Sequence, residues 1–204
     1  MKLRLVGDLH GDHRAINQMM QTCHHYDLTI QIGDYGAGFG AEAYLPNIGA
    51  DKLRILHGNH DNPDILARYP HDLGRFGVLE FAEKKIFYMA GAWSIDQAHR
   101  TPGLSWWPNE ELSLLEAEQC LQLWEKECKD ISLVLTHDGP INVTQNILGS
   151  WPYETTTGKV GYEMWKIHNP PLWRFGHWHR CWSKKIGDTE FRCLNINEFE
   201  VLEF

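Results

Sequence analysis

Short apolar runs recur along the chain, and five of them end alike, on a small residue followed by a polar one. Leu3-Arg4-Leu5-Val6-Gly7 leads into Asp8, and Leu28-Thr29-Ile30-Gln31-Ile32-Gly33 leads into Asp34. Leu53-Arg54-Ile55-Leu56-His57-Gly58 precedes Asn59, Ile131-Ser132-Leu133-Val134-Leu135-Thr136 precedes His137, and Leu172-Trp173-Arg174-Phe175-Gly176 precedes His177. Runs of this length, rich in branched and bulky apolar residues, read as largely buried β-strands. Helices fit between them. Residues 13–25 form one, and residues 63–69 another, with Pro63 suited to a first helical turn. Residues 109–128 carry the clearest helical period, which puts Leu112, Leu115, Cys120, Leu121 and Trp124 on one face. Strands alternating with helices imply βαβ units. The runs 85–90, 189–194 and 199–204 alternate like sheet strands, and a second, partly antiparallel sheet would accommodate them. The expected fold is α/β: a four-layer α/β/β/α sandwich of two mixed sheets flanked by helices. No repeat or linker divides residues 1–204, which read as one domain.

Composition narrows the function. The 204 residues carry 19 Lys and Arg against 27 Asp and Glu, a formal charge of −8. A protein that tracks many phosphates of DNA or RNA needs a basic surface, so long nucleic acid is not an expected partner. At 43% hydrophobic and 23% charged residues the chain can bury an ordinary core. No apolar run is long enough to cross a bilayer, so no membrane is expected, and the opening strand leaves no room for a signal peptide. Five cysteines without a CxxC pair read as free thiols, which makes the cytoplasm the expected compartment. The 12 histidines matter by where they sit, because imidazole is the commonest metal ligand.

In open α/β sheets, ligands bind beyond the carboxyl ends of the strands. All five polar residues hold that position. If their strands share one sheet, two carboxylates, a carboxamide and several imidazoles converge at one edge. Glycine at four of the five junctions would let the backbone turn sharply and approach an ion. The ordered set is Asp8-Leu9-His10, Gly33-Asp34, Gly58-Asn59-His60-Asp61, Thr136-His137 and Gly176-His177-Trp178-His179. Any one four-residue word arises by chance in about one in a thousand chains of this length, and two such words in order with two more motifs are far rarer.

This set resembles the motifs of the calcineurin-like metallophosphoesterase superfamily, and it spans residues 8–179. The resemblance implies two divalent metal ions. Asp8, His10 and His179 would hold the first, Asn59, His137 and His177 the second, and Asp34 would bridge both. It also implies in-line hydrolysis of a phosphate ester by a hydroxide between the metals, without a covalent intermediate. An anionic bridge makes physical sense, because it offsets the repulsion of two cations about 3.5–4 Å apart. Ligands of oxygen and nitrogen suit Mn²⁺, Fe, Zn²⁺ or Ni²⁺, with manganese the family expectation. His60, beside Asn59 but outside the ligand set, is the candidate general acid. Asp61 reads either as the residue that orients His60 and raises its pKa or as a helix N-cap before Asn62-Pro63. His13, three residues past the first motif, is the nearest of the remaining histidines, which read as bystanders.

Two segments rich in Trp, Tyr and Gly lie beside the motif strands. One is 93–108, with Arg100, Trp106 and Trp107; the other is 146–165, with Trp151, Tyr153, Lys159 and Tyr162. They read either as pocket walls able to stack a base or as satellite core or dimer contacts. Arg180, Arg100 and Lys159 are candidate phosphate clamps, each with a solvated surface charge as the alternative. The opening Gly7-Asp8-Leu9-His10-Gly11 resembles protein serine/threonine phosphatases and dinucleoside-polyphosphate hydrolases. That branch continues as GDxxDRG, whereas here the run is Gly33-Asp34-Tyr35-Gly36-Ala37-Gly38, and Asp61 stands where that branch has Glu. A phosphodiesterase on a small or cyclic nucleotide therefore fits better than a protein phosphatase. A phosphomonoesterase, an inactive family scaffold and a nuclease are the alternatives.

Overall fold

The computed structural model describes residues 1–149 and 154–204. Its strands are β1 (Lys2–Val6), β2 (Leu28–Ile32), β3 (Leu53–Leu56), β4 (Phe76–Phe81), β5 (Lys84–Met89), β6 (Ile131–Thr136), β7 (Leu172–Phe175), β8 (Trp182–Ile186), β9 (Thr189–Cys193) and β10 (Phe199–Glu203). The α-helices are α1 (His13–Thr22), α2 (Pro63–Leu66), α3 (Leu114–Glu127), α4 (Ile141–Leu148) and α5 (Thr156–Ile167). One sheet has the order β10-β1-β2-β3 and the other β4-β5-β6-β7-β9-β8. The five motif strands are thus split, three in the first sheet and two in the second, rather than gathered in one. Both sheets are mixed and helices flank them, as expected for the four-layer sandwich.

Period-two alternation builds the layers. Leu3, Leu5, Leu28, Ile30 and Ile32 face Ile86, Leu133 and Leu135 across the gap between the sheets. On the outer face of the first sheet, Val6, Leu53 and Ile55 meet Ile16 and Met19 of α1. On the outer face of the second, Phe87, Val134, Trp173 and Phe175 meet Cys120 and Trp124 of α3 and Met164 of α5. Arg174, 2% exposed, locks the layers together. Its Nε donates to Glu200 of β10 and its Nη2 to Glu190 of β9, both at 2.7 Å.

Three expectations need correction. The run at 199–204 joins the first sheet, antiparallel to β1, instead of the second. Helix α3 begins at Leu114, capped by Ser113 in a reciprocal capping box with Glu116, and this register leaves Leu115 64% exposed. The helix expected over 63–69 is a single turn, 63–66, with Asn62 rather than Asp61 as its cap. The segment 146–165 is largely helical, covered by the end of α4 and by α5; Trp151 and Tyr153 lie outside the described residues. Strand β4 escaped sequence reading because its hairpin to β5 turns through Ala82 and Glu83, both left-handed and neither a usual turn residue.

Candidate metal centre

The two sheets pack so that the carboxyl ends of their parallel strands meet at one rim, and the motif residues converge there. Asp8, His10, Asp34 and His179 bring one ligand atom each to within 4.8 Å of one another. His10 Nε2 and His179 Nε2 are 2.9 Å apart, and His179 Nε2 is 3.1 Å from Asp8 Oδ2. Asp34 turns its two oxygens to different neighbours. Oδ2 faces His10 Nε2 at 3.7 Å, while Oδ1 lies 3.3 Å from His137 Nε2. Asn59 Oδ1 is 3.2 Å from His137 Nε2 and 2.9 Å from His177 Nδ1. The seven residues named as metal ligands therefore form two sets that share Asp34.

The backbone is bent to achieve this. Four of the seven non-glycine residues with left-handed φ among the described residues are His10, Asp34, His177 and His179. Such conformations cost about 1–3 kcal/mol each and persist where the surroundings impose them. Here the peptides are pinned. The Asp34 carbonyl accepts from Leu9 N and His10 N, and the Asp8 carboxylate accepts from His177 N. Glycine has a different job from the one expected. Of the four junction glycines only Gly33 is left-handed, at +110°. The others provide room: a Cβ at Gly58 would fall 2.2 Å from Asp34 Oδ1, and one at Gly176 2.3 Å from Asp8 Oδ1.

The electrostatics suit cations. Burial opposes ionisation of Asp34, yet His137, followed by His60 and His10, holds its carboxyl well below the usual carboxylate range. Burial works against protonated His137 as well, but Asp34 and Asp8 push it up. Its Nδ1 lies 2.9 Å from the carbonyl oxygen of Ile32, so Nδ1–H donates there and Nε2 faces the centre. Burial and the neighbouring His137 hold His177 far down, so its imidazole is neutral. Asp34 Oδ2 and His177 Nε2 are buried without a hydrogen-bond partner. A buried carboxylate oxygen left unpaired beside two converging imidazoles is what a cation site leaves behind. The residues fit a pair of divalent ions.

Above the centre lies a cavity of about 380 Å³, with His10, Asn59, His60, His177 and His179 at its floor. Ile95, Asp96, Leu148, Trp178 and Arg180 make its walls. Arg180 is exposed there, as a phosphate clamp would be. Arg100 is not free: its Nε pairs with Asp96 at 2.7 Å, and its Nη2 donates to the ring of His60. Trp107 is 5% exposed, packs edge-on to Phe39 and lies outside the cavity lining, so it offers no stacking surface. Lys159 pairs with Glu154 on the surface.

The Asp61 carboxylate is not bonded to the His60 ring. Its carboxylate accepts from the backbone amides of Tyr35, Gly36, Ala37 and Gly58 at 2.7–3.1 Å. It therefore ties the loop after β2 to the loop after β3, holding Asp34 and Asn59 in relative place. Nor is His60 raised. Burial, aided by Arg100 and His10 against the pull of Asp34, lowers it to about 4. The bystander histidines stay outside: His13 meets Tyr44, and His57 is buried against Arg75. Sequence reading missed Ser94, whose hydroxyl receives Asn59 Nδ2 at 3.1 Å. Nothing in its local pattern marks a loop serine as a partner of a residue 35 positions away.

Comparison with known proteins bears on the fold and the family. A candidate 5′-nucleotidase of Staphylococcus aureus, solved with alpha-ketoglutarate, superposes with a TM-score of 0.56 at 18% identity over 99% of this chain. The chain spans half the length of that protein. A dimetal phosphatase from Danio rerio gives 0.60 at 13% identity, covering 97% of this chain and 88% of the other. The Thermus thermophilus protein TT1561 gives 0.59 at 12%, covering 98% and 97%. At such identities the likeness is one of fold. No curated protein sequence matches the chain significantly. The sequence profile described as calcineurin-like phosphoesterase matches residues 1–181. With its motif residues gathered at one rim and that profile covering most of its length, the chain belongs to the calcineurin-like phosphoesterase family.

Proposed function

We infer that the protein hydrolyses small phosphodiesters, with short or cyclic nucleotides as the substrate class, at a dinuclear centre held by Asp8, His10, Asp34, Asn59, His137, His177 and His179. The observation that carries this reading is the sharing of Asp34: one carboxylate faces both ligand sets under one cavity. Two divalent cations there, manganese for preference, would supply Lewis-acid polarisation of a phosphoryl oxygen and acidify a water molecule at neutral pH. The remaining steps belong to the chain. Arg180 grips a non-reacting phosphoryl oxygen from the cavity wall. His60, neutral in the free protein, gains a proton once an anionic phosphoryl group lies against it, and passes that proton to the leaving oxygen.

The walls favour a diester. A monoester brings a dianion, a diester a monoanion. Here Asp96 sets a carboxylate on the wall, and Arg100 is already engaged by it. The apolar Ile95 and Leu148 suit the body of a leaving group better than a second phosphate charge. Manganese-loaded protein assayed with bis(4-nitrophenyl) phosphate and 4-nitrophenyl phosphate tests the reading, followed by cyclic nucleotides and dinucleotides. Faster turnover of the monoester refutes the diester preference, and turnover of neither refutes the function. The charge of −8 and the acid on the wall argue against long nucleic acid as substrate. Among the described residues no helix is long and apolar enough to cross a membrane.

A further inference from the structure

Asn59 stands where the second ligand set needs an oxygen, and an amide has two ends of nearly the same shape. Turned one way it offers Oδ1, which can hold a cation; turned the other it offers N–H groups, which cannot. The partner at the far end decides. Asn59 Nδ2 donates to Ser94 Oγ at 3.1 Å. A hydroxyl can donate or accept, so Ser94 alone would tolerate either end of the amide. Its hydrogen, however, is committed. Ser94 Oγ donates to Glu110 Oε2 at 2.6 Å, and Ser94 N donates to Glu110 Oε1 at 2.8 Å. Burial raises the Glu110 pKa, while its hydrogen bonds from Ser94 Oγ and Ser94 N favour the carboxylate, which only accepts. With its hydrogen spent, Ser94 shows Asn59 a lone pair, and Asn59 answers with Nδ2. Oδ1 then faces His137 and His177.

The relay is buried: Ser94 is 0% exposed, Asn59 2% and Glu110 3%. Its two segments meet closely because Gly91, at φ +86°, passes under Glu110; a Cβ there would lie 2.3 Å from the Glu110 carbonyl oxygen. We propose that Ser94 and Glu110 are positioning residues whose hydrogen-bond polarity decides which end of the Asn59 amide faces the second cation site. The proposal rests on reading Asn59, His137 and His177 as that site's ligands.

Glu110→Gln separates polarity from shape. The backbone N–H of Ser94 pins the new amide oxygen where Oε1 stood, which turns the new NH₂ group toward Ser94 Oγ. Ser94 must then accept from Gln and donate toward Asn59, and the Asn59 amide turns over. The measurement is equilibrium dialysis of the full chain against manganese(II) chloride, with metal content by mass spectrometry and electron paramagnetic resonance to detect the spin-coupled pair. The parent is expected to hold two equivalents. Glu110→Gln and Ser94→Ala should keep the first, with unchanged far-ultraviolet circular dichroism, and bind the second 10–100-fold more weakly. The combined variant should be no worse than Ser94→Ala alone, because nothing remains to transmit the reversal. Parental second-site affinity in Glu110→Gln overturns the proposal, and so do losses that multiply in the combined variant. A parent that holds fewer than two equivalents overturns the reading of the centre itself, and the proposal with it.

Discussion

Replacing Gly58 with alanine tests whether the centre is built by close approach rather than by backbone freedom. Gly58 has no left-handed φ, so alanine meets no conformational penalty there. What it meets is the site. The new methyl would sit 2.2 Å from Asp34 Oδ1, 2.5 Å from Asp34 N and 2.5 Å from His137 Nε2. Ordinary contact begins near 3.4 Å, so the carboxylate must retreat by about 1 Å. It has nowhere to go, since Asp34 is 1% exposed and His137 0%. Overpacking of this kind costs about 1–3 kcal/mol, which for a chain of this size lowers Tm by roughly 2–12 °C. The chemistry should suffer more than the fold. Displacing a reacting group by about 1 Å costs on the order of 100-fold in rate. The assay is manganese content after dialysis, kcat on bis(4-nitrophenyl) phosphate and Tm, with Gly161→Ala as control. In that control the methyl lies on α5, at 3.3 Å from its nearest neighbour, Pro140 Cα. Gly58→Ala with two manganese equivalents and parental kcat would refute the reasoning.

Three further outcomes follow from the geometry. Asp61→Asn leaves one oxygen for four amide donors, so stability should fall by about 1–3 kcal/mol in urea unfolding; unchanged stability with a selective loss of kcat would return Asp61 to the role of orienting His60. Because Asp34 and Asp8 raise the pKa of His137, the imidazole is protonated in the metal-free protein at pH 7 and must lose that proton to bind a metal. Manganese affinity should therefore rise with pH, and calorimetry in buffers of different ionisation enthalpy should register proton release; pH-independent affinity between pH 6 and 8 contradicts this. His60→Ala should keep both metals and lose more kcat on esters with poor leaving groups than with good ones, and equal losses would remove His60 from proton donation.

The strands and the candidate ligands at their ends were legible because both obey short-range rules. A buried strand needs an unbroken apolar run, and a ligand beyond its carboxyl end follows the run directly, as Asp8 follows Leu3 to Gly7. The residues around the ligands follow no such rule. Trp107 and Arg100 looked like pocket residues because they are aromatic or charged beside a motif. Trp107 instead fills space under Gly38 and Phe39, and Arg100 is spent on Asp96 and His60.

Order along the chain determined the alternation of strands and helices, the family and the seven candidate ligand positions, because each is read from neighbours a few residues apart. Tertiary packing alone decided that the candidate ligands come from two sheets, that Asp61 ties two loops together and that Ser94 and Glu110 stand behind Asn59. The last two depend on which buried donor meets which buried acceptor across 16–35 residues of chain. Hydrogen-bond direction and the space left by a missing Cβ are properties of the meeting, and no single residue carries them beforehand.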